Sequence, residues 1–412
     1  MNRFEEFTTR IVQQVGKKEG PISPVMVNSA SFGYGNSETG EGIFDGSVKK
    51  PLYARVGNPT SAQLEQILAS MDGGIGAIAT SSGMGATAMA TLSLLKAGDE
   101  IISIGGLFGG TYSYFAETLA RFGITTHFFD VDELGAIEET INTATKILFL
   151  ESVGNPNMRL PDIAKIADIA NRYGVALMVD NTITPLSVVP IALGADIVVY
   201  STTKIITGNA SSLGGAVIFR AISEDEDKFK GDRYRDIHPF IKKMGSMALV
   251  ANAKKRALRD FGMSANGFGS YLTMLGLETL PLRLDRIVTS VETIAKALHE
   301  RGFSVNHPCL PHHLHHERYQ RQFTNGCGTL LTLDMGSKER AFEFLNRSKL
   351  ITITANIGDS RTLGLHMAST IYRDFDDQTK EFLGITPGLI RISIGLESAE
   401  AIIDDFGNAA KI

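Results

Sequence analysis

The sequence contains no tryptophan and only two cysteines, Cys309 and Cys327, among its 412 residues. So few cysteines argue against a disulfide framework and fit a reducing compartment, so we expect a cytoplasmic protein. A stretch of about 20 apolar residues and an N-terminal apolar signal core are both lacking from the sequence, which argues against a membrane partner. The net charge of −5 comes without a dense basic tract, which argues against nucleic-acid binding.

The sequence does contain 42 glycines and 43% hydrophobic residues, a balance typical of a packed α/β enzyme. Its length exceeds that of one typical domain, which predicts two. Apolar runs alternate with helical patterns over residues 76–219, so we expect a mainly parallel sheet covered on both faces. After a long predicted helix, Leu282–Arg301, separated strands predict a smaller α+β domain. The predicted partition is a neighbour-contacting arm at residues 1–55, a large domain at 56–260 and a small domain at 261–412.

Three further helices bear on how the large domain is built. The patterns predict helices at Thr111–Phe122, Pro161–Tyr173 and Pro239–Arg259. The second is expected to open at its proline, because the fixed φ of proline suits the first helical position.

Two polar residues follow neighbouring apolar runs. The run Asp196–Tyr200 leads into Ser201-Thr202-Thr203-Lys204, and the run before it ends at Asp180. In open α/β sheets ligands collect outside the carboxyl ends of the strands, so an amine and a carboxylate are presented to one crevice. This pair suits pyridoxal phosphate: lysine carries the cofactor and aspartate holds its ring nitrogen protonated. Ser201 and Thr203 would then hydrogen-bond the phosphate. Either charged residue alone is an ordinary surface group, so the assignment needs support elsewhere in the chain.

A glycine-rich turn after a predicted strand provides part of that support. Backbone N–H groups around Gly83 and Met84 begin a helix and form a site for an anion such as phosphate. The same turn, as Gly83-x-Gly85-x-x-Ala88, also matches the dinucleotide-binding fingerprint, with Asp99-Glu100 at a plausible distance for a ribose contact. A nicotinamide-dependent oxidoreductase therefore remains an alternative.

Tyr53 and Arg55 lie at the end of the irregular N-terminal stretch. Residues two apart on an extended chain point the same way, so the pair could grip a phosphate, with arginine giving paired donors. The alternative is a tyrosine packed on an arginine in a loop.

A histidine cluster, His312-His313-Leu314-His315-His316, invites a metal interpretation. Histidine is a common metal ligand, but Glu317 is the only adjacent carboxylate and no cysteine completes a site. We therefore interpret the cluster as the solvated start of a helix.

Several motifs, each modest alone, occur in one order along nearly the whole chain. They are Tyr53-x-Arg55, Asn58-Pro59-Thr60, Ser82-Gly83-Met84-Gly85, Glu151-Ser152-x-x-Asn155-Pro156, Asp180-Asn181-Thr182, Ser201-Thr202-Thr203-Lys204, Gly276-Leu277-Glu278-Thr279-Leu280, Gly358-Asp359 and Ile390-Arg391-Ile392-Ser393-Ile394-Gly395-Leu396-Glu397. As a set they resemble the Cys/Met-metabolism family of pyridoxal-phosphate enzymes. The resemblance implies an aspartate-aminotransferase-type α/β fold and a homotetramer, a dimer of dimers with active sites at the dimer interface.

The resemblance also implies a role for each matching residue. Lys204 would carry the cofactor and move protons, and Asp180 would pair with the ring nitrogen. Arg391 would bind the substrate carboxylate, and Asn155 would contact the phenolic oxygen of the cofactor and the substrate. The phosphate would be held by Ser82, Gly83, Met84, Ser201 and Thr203 of the same subunit and by Tyr53 and Arg55 of a neighbour.

Two departures from the family pattern bear on the reaction. Phe108 stands where many members carry a tyrosine, so stacking is kept but an acid/base hydroxyl is lost, and Gly110 replaces the cysteine of the similar γ-lyases. Asn356, in the substrate region, stands where lyases often have serine. These features indicate sulfide transfer onto an O-acyl-homoserine, chiefly the acetyl ester, to give homocysteine for methionine biosynthesis. A methionine or cystathionine γ-lyase and a non-catalytic relative are alternatives.

Four properties stay open at this point. They are the ester, which could be acetyl, succinyl or phosphate, the balance between replacement and elimination, any role of the histidines, and the sulfur donor, which could be sulfide, a thiol or a carrier-protein thiocarboxylate.

Overall fold

The larger of two sheets organises the chain in this computed structural model, which describes residues 4–16, 19–223, 226–323 and 325–411. Within these residues its seven strands are β1 (Gly76–Thr80), β2 (Glu100–Ile104), β3 (Thr125–Phe129), β4 (Thr145–Glu151), β5 (Ala176–Asp180), β6 (Ile197–Tyr200) and β7 (Gly215–Phe219). Their spatial order is β1-β7-β6-β5-β4-β2-β3, and only β7 runs antiparallel to its neighbours. The predicted mainly parallel sheet is confirmed.

Both faces of this sheet are buried, which explains why its strands are apolar at successive positions. Along β4, Leu148 and Leu150 pack into one apolar cluster, whereas Ile147 and Phe149 pack into the other. Successive side chains of a strand point to opposite faces, so one short apolar run supplies both layers. Helices cover the two layers.

The first eleven α-helices of the described residues, in chain order, are α1 (Glu5–Val15), α2 (Ser37–Asp45), α3 (Pro59–Asp72), α4 (Gly83–Leu94), α5 (Gly109–Ser113), α6 (Leu134–Thr140), α7 (Ile163–Arg172), α8 (Asp227–Lys230), α9 (His238–Met244), α10 (Ala248–Ala253) and α11 (Arg259–Phe261). Along α1, one apolar face is buried through Phe7, Ile11 and Val15. The irregular stretch that follows exposes Ile22 and, at the end of α2, Phe44. Its contact with a neighbouring subunit stays a prediction.

Three helix predictions are corrected. The helix expected to open at Pro161 begins at Ile163, because the Asp162 carboxylate accepts the Lys165 N–H at 3.3 Å and caps the helix. The helix expected over Thr111–Phe122 is the short α5, followed by a π-turn and a 3₁₀ turn. The long helix expected over Pro239–Arg259 breaks at Gly245, whose φ of 51° lies outside the helical region.

A second, smaller sheet follows the long helix, as predicted. Its strands are β8 (Val305–Asn306), β9 (Leu330–Asp334), β10 (Thr352–Ile353), β11 (Leu363–His366) and β12 (Leu389–Ser393), in the order β10-β11-β12-β9-β8 and antiparallel except for β10 and β11. The accompanying helices are α12 (Gly267–Glu278), α13 (Leu280–Glu300), α14 (His316–Gln322), α15 (Lys338–Arg347), α16 (Asp377–Phe382) and α17 (Ala399–Ala409). The partition of the chain at residues 55 and 260 stays a prediction. No helix in the described ranges is both long enough and apolar enough to cross a membrane.

Candidate active site

A cleft of about 860 Å³, partly open to solvent, lies at the carboxyl ends of β4, β5 and β6. This is the position where ligands bind in parallel α/β sheets, because the connecting loops diverge there. The cleft also reaches the small sheet through Ile357 and Arg391. Ten of the predicted site residues line it, namely Ser82, Gly83, Met84, Phe108, Asn155, Asp180, Ser201, Thr203, Lys204 and Arg391.

Lys204 lies in the turn that follows β6. Its Nζ donates a hydrogen bond to Oδ1 of Asn356 at 2.6 Å, which brings this eleventh predicted residue to the site. Burial, reinforced by the nearby Arg391 guanidinium, lowers the pKa of Lys204 to about 8. About a tenth of the amine is therefore unprotonated at pH 7, far more than for an ordinary lysine, and is able to act as a nucleophile or base.

Asp180 is the last residue of β5, the strand next to β6, as predicted. Its Oδ1 accepts the Thr182 N–H at 2.9 Å. Burial raises the pKa of Asp180, and the hydrogen bonds from Thr182 oppose that rise. A buried carboxyl group of this kind becomes stably ionised when a cationic partner sits against it.

α4 begins at Gly83, the turn at which an anion site is predicted. Ser82 caps this helix, because its Oγ accepts the Gly85 N–H at 3.0 Å. A Cβ atom on Gly83 would lie 2.6 Å from Cβ of Ser201, so only glycine lets the helix start meet the turn after β6. The first N–H groups of a helix have no intrahelical acceptor and attract an anion.

Thr203 lines the same part of the cleft but is already hydrogen-bonded within the chain. Its Oγ1 donates to the Gly214 carbonyl at 3.1 Å and accepts the Gly214 N–H at 2.9 Å. Donation to a phosphate requires this hydroxyl to leave the Gly214 carbonyl, and that role stays a prediction.

Arg391 lies on β12 and is buried, with 3% of its surface exposed to solvent. Its guanidinium donates to Oδ1 of Asn155 at 3.1 Å and to the Ala355 carbonyl at 2.9 Å. Among the described residues no carboxylate accepts from it, and burial lowers the pKa of Arg391 to about 10. A buried cation without an acidic partner is costly, so the arrangement favours an anionic ligand.

Phe108 places its ring at the cleft and is 36% exposed. The N–H of Phe108 donates to Oε1 of Glu151 at 2.7 Å.

The predictions assigned no role to Glu151, which lines the cleft, nor to Thr182. A usable signal existed for Glu151, since it ends an apolar run just as Asp180 does.

Tyr53 and Arg55 are the two predicted residues that lie away from this cleft in their own chain. The Arg55 guanidinium carbon is 5.8 Å from the centre of the Tyr53 ring, and Arg55 donates to the Arg259 carbonyl. Within one chain, Tyr53 and Arg55 are thus a tyrosine packed on an arginine, which is the alternative given above. Their contact with the cofactor phosphate of a neighbouring subunit stays a prediction.

The chemistry of the cleft agrees with comparisons to known proteins. Residues 8–411 match the model of the family described as Cys/Met metabolism PLP-dependent enzyme. The chain belongs to this family. It is therefore a pyridoxal-phosphate-dependent enzyme, and the non-catalytic alternative is wrong.

Individual relatives are similar to this enzyme over almost their whole length. The homocysteine synthase of Schizosaccharomyces pombe is 36% identical over 93% of this chain and 92% of its own. The O-acetyl-L-homoserine sulfhydrylase 1 of Thermus thermophilus is 34% identical over 96% and 95%. A putative O-acetylhomoserine (thiol)-lyase of Campylobacter jejuni superimposes with a TM-score of 0.93 at 30% identity, covering 98% of this chain and 100% of its own. That crystal structure carries N'-pyridoxyl-lysine-5'-monophosphate at position 205 of its chain.

The residues of the cleft fit pyridoxal phosphate part by part. Lys204 would provide an amine of lowered pKa for the aldehyde, and Asp180 would provide a buried carboxyl group for the ring nitrogen. The start of α4 at Gly83 would provide N–H groups for the phosphate. The Phe108 ring, which lines the cleft, would provide an aromatic face for the pyridine ring.

The nicotinamide alternative is wrong for this PLP enzyme, and the fold gives a physical reason. Asp99 precedes β2 and lines a different cavity together with Lys96. An acid that binds a ribose must lie at the carboxyl edge of the sheet, whereas Asp99 lies at the amino edge.

The histidine cluster is only partly a solvated helix start. His312 is exposed, but His315 is buried, with Nδ1 accepting the Leu160 N–H at 3.0 Å and Nε2 2.9 Å from Oδ2 of Asp132. These contacts tie the start of α14 to Leu160, before α7, and to Asp132, before α6. No group of three or more His, Cys, Asp or Glu side chains in the described ranges is arranged to hold a metal ion.

Proposed function

We propose that this enzyme replaces the γ-acyloxy group of an O-acyl-L-homoserine, chiefly the acetyl ester, with sulfide or a carried sulfur equivalent. The products are homocysteine and the free acid, a step of methionine biosynthesis. The names of the Schizosaccharomyces pombe and Thermus thermophilus relatives support this reaction. The observation that carries it is the buried guanidinium of Arg391, which lacks an acidic partner in the described chain and lines the same cleft as Lys204.

The proposed roles of the residues follow their chemistry. Arg391 binds the α-carboxylate of the substrate, a task suited to the paired donors of a guanidinium. Asn155 and Asn356 orient the bound amino acid, and Asn356 also holds the Lys204 amine. The remaining proposed ligands hold the cofactor, namely Ser82, Gly83, Met84, Asp180, Ser201 and Thr203, with Tyr53 and Arg55 from a neighbouring subunit.

Bound pyridoxal phosphate supplies an electron sink for charge that develops on the α-carbon of the substrate. Lys204 removes the α-proton, because its amine is partly unprotonated near neutral pH and lies in the cleft. It also moves the β-proton, since Phe108 has no acid/base group. The Cγ–O bond breaks with departure of the carboxylate, and a Cγ–S bond forms with the sulfur nucleophile.

The γ-lyase alternative uses the same scaffold and differs in the fate of the substrate after the γ-group leaves. Phe108 favours replacement in our proposal, because a tyrosine at this position would add an acid/base hydroxyl for elimination. We expect Phe108→Tyr to raise the rate at which methionine alone releases 2-oxobutyrate by about 100-fold, the lower end of general acid–base effects. Phe108→Leu, which adds no hydroxyl, should show no such rise.

Steady-state kinetics test the proposal most directly. The three homoserine esters, acetyl, succinyl and phosphate, are each combined with sulfide, cysteine or methanethiol. The highest kcat/KM is expected for the acetyl ester with sulfide. A faster release of 2-oxobutyrate and ammonia from methionine or cystathionine alone would replace the proposal with the γ-lyase.

The assembly proposed here is a homotetramer in the cytoplasm, with a carrier protein as one candidate sulfur source. Exposed apolar side chains support a self-association surface, including Ile22, Phe44 and Phe268. Light scattering should give the mass of four chains. Arg55→Ala should weaken pyridoxal phosphate binding only if Arg55 reaches a cofactor across the interface.

A further inference from the structure

Glu151 is a second acidic residue at the carboxyl edge of the large sheet, and the proposed mechanism does not use it. It ends β4 and stands directly opposite Asp180, the end of β5, in the parallel register. It is 6% exposed and lines the cleft. Carboxyl groups are rarely buried without a partner, so its position calls for an explanation.

One contact of Glu151 reaches the loop above the cleft. Its Oε1 accepts the N–H of Phe108 at 2.7 Å. Phe108 immediately precedes α5, so this bond sets where that helix begins and where the aromatic ring lies. On the other side, the Tyr372 hydroxyl donates to the Leu107 carbonyl at 3.2 Å. The Phe108 loop is therefore held from β4 by Glu151 and from the small domain by Tyr372.

The two carboxyl groups at the strand ends are in different environments. Burial, and then the neighbouring Asp180 charge, raises the pKa of Glu151 well above its usual value. Backbone N–H groups of Phe108 and Asn155 oppose this only in part. Asp180 is hydrogen-bonded by Thr182 through both backbone and side chain, which favours its ionised form. Two adjacent buried carboxyl groups do not both ionise, so Glu151 keeps the proton.

We propose that Glu151 is a positioning residue that, as an uncharged acid, holds Phe108 at the cleft and leaves Asp180 as the ionised member of the pair, available to the ring nitrogen of the cofactor. The inference rests on the roles proposed for Phe108 and Asp180. It does not depend on which ester or sulfur donor the enzyme uses.

Binding of pyridoxal phosphate to the cofactor-free protein tests this without any substrate. Glu151→Gln keeps an uncharged acceptor of the same shape, so the Kd and the visible circular dichroism of the bound cofactor should stay within about threefold of wild type. Glu151→Ala removes the acceptor and should raise the Kd about tenfold, the size of one lost buried hydrogen bond, and reduce the visible signal. Glu139→Gln, an exposed position on α6, is the matched control.

A double-mutant cycle with Phe108→Ala asks whether Glu151 acts through Phe108. The combined variant should bind the cofactor no more weakly than the weaker-binding single variant, because both substitutions remove the same function, the placement of the Phe108 ring at the cleft. Simple additivity would overturn the inference, and so would a Glu151→Gln variant as damaged as Glu151→Ala. Far-ultraviolet circular dichroism shows whether each variant folds. If Glu151→Ala does not fold, the Glu151→Gln variant alone decides whether Glu151 acts as an uncharged acid.

Discussion

The side-chain amide oxygen of Asn356 accepts a hydrogen bond from Nζ of Lys204 at 2.6 Å. The two residues are 152 positions apart in the chain, and this bond connects the turn after β6 to the segment after β10. The backbone carbonyl of Asn356 also lies 3.5 Å from the Arg391 guanidinium. Asn356 thus sits between the amine that we propose moves protons and the cation that we propose binds the substrate.

Asn356→Ala should lower kcat about tenfold, because the lost hydrogen bond to the amine is worth about 1.5 kcal/mol and leaves Lys204 free to adopt other rotamers. Steady-state kinetics with the acetyl ester and sulfide measure this. Asn408→Ala is a matched control, since Asn408 accepts from Lys411 Nζ at 2.9 Å on the protein surface. Equal rates for the Asn356→Ala and wild-type enzymes would contradict the positioning of Lys204 by Asn356.

The pKa of Lys204 predicts a pH dependence for loading the cofactor. Only the unprotonated amine attacks an aldehyde, so the rate at which cofactor-free enzyme takes up pyridoxal phosphate should rise with pH, with a midpoint of about 8. Stopped-flow absorbance measures the rate. Arg391→Met removes a cation that helps to lower this pKa and should move the midpoint upward.

Lys204→Ala is the control for that experiment, and borohydride treatment should leave no cofactor covalently attached to it. A midpoint near the ordinary lysine value would show that burial does not act on the Lys204 amine as described.

Removal of the Arg391 guanidinium should affect substrate binding more than cofactor binding. We expect Arg391→Met to raise KM for the O-acyl-homoserine about 100-fold, close to the 3 kcal/mol of a strong charge-assisted hydrogen bond. The control is Arg361→Met, because Arg361 is already paired with Asp359 at 2.7 Å. A variant at Arg391 with unchanged KM would remove the observation on which the proposed function depends.

Asp72 predicts a pH-dependent stability far from the active site. It is buried, its Oδ1 accepts from the Tyr200 hydroxyl at 3.0 Å, and its Oδ2 has no hydrogen-bond partner in the described chain. Burial raises the pKa of Asp72 to about 7. The native state therefore holds a proton that the unfolded state has lost between pH 4 and pH 7, and the free energy of unfolding falls as pH rises through this window.

Urea unfolding of wild type and Asp72→Asn at pH 5 and pH 8 measures that effect. The asparagine variant keeps a neutral group, so its stability relative to wild type should increase by on the order of 2 kcal/mol between the two pH values. Asp168→Asn, on the exposed face of α7, should show no such change. If the free energies of unfolding of wild type and Asp72→Asn change by the same amount between pH 5 and pH 8, Asp72 is ionised in the native protein.

Much of the site could be predicted because its parts are local. Apolar runs that end at Asp180 and Ser201 showed where two strands leave the sheet, and the glycine-rich turn at Gly83 showed an anion site. Contacts between distant segments could not be predicted from the residues alone. Asn155 and Arg391 are 236 positions apart, and their hydrogen bond exists only because β12 packs against the loop after β4.

The sequence by itself determined which residues end the strands, where the helix at Gly83 begins, and which family motifs occur in order. Those properties depend on short-range patterns and backbone geometry. Only the tertiary structure decided that Lys204 meets Asn356, that Arg391 has no acidic partner among the described residues, and that Glu151 faces Asp180. Burial and the placement of neighbouring charges set these properties, because the cost of a charge depends on every group that folding brings around it.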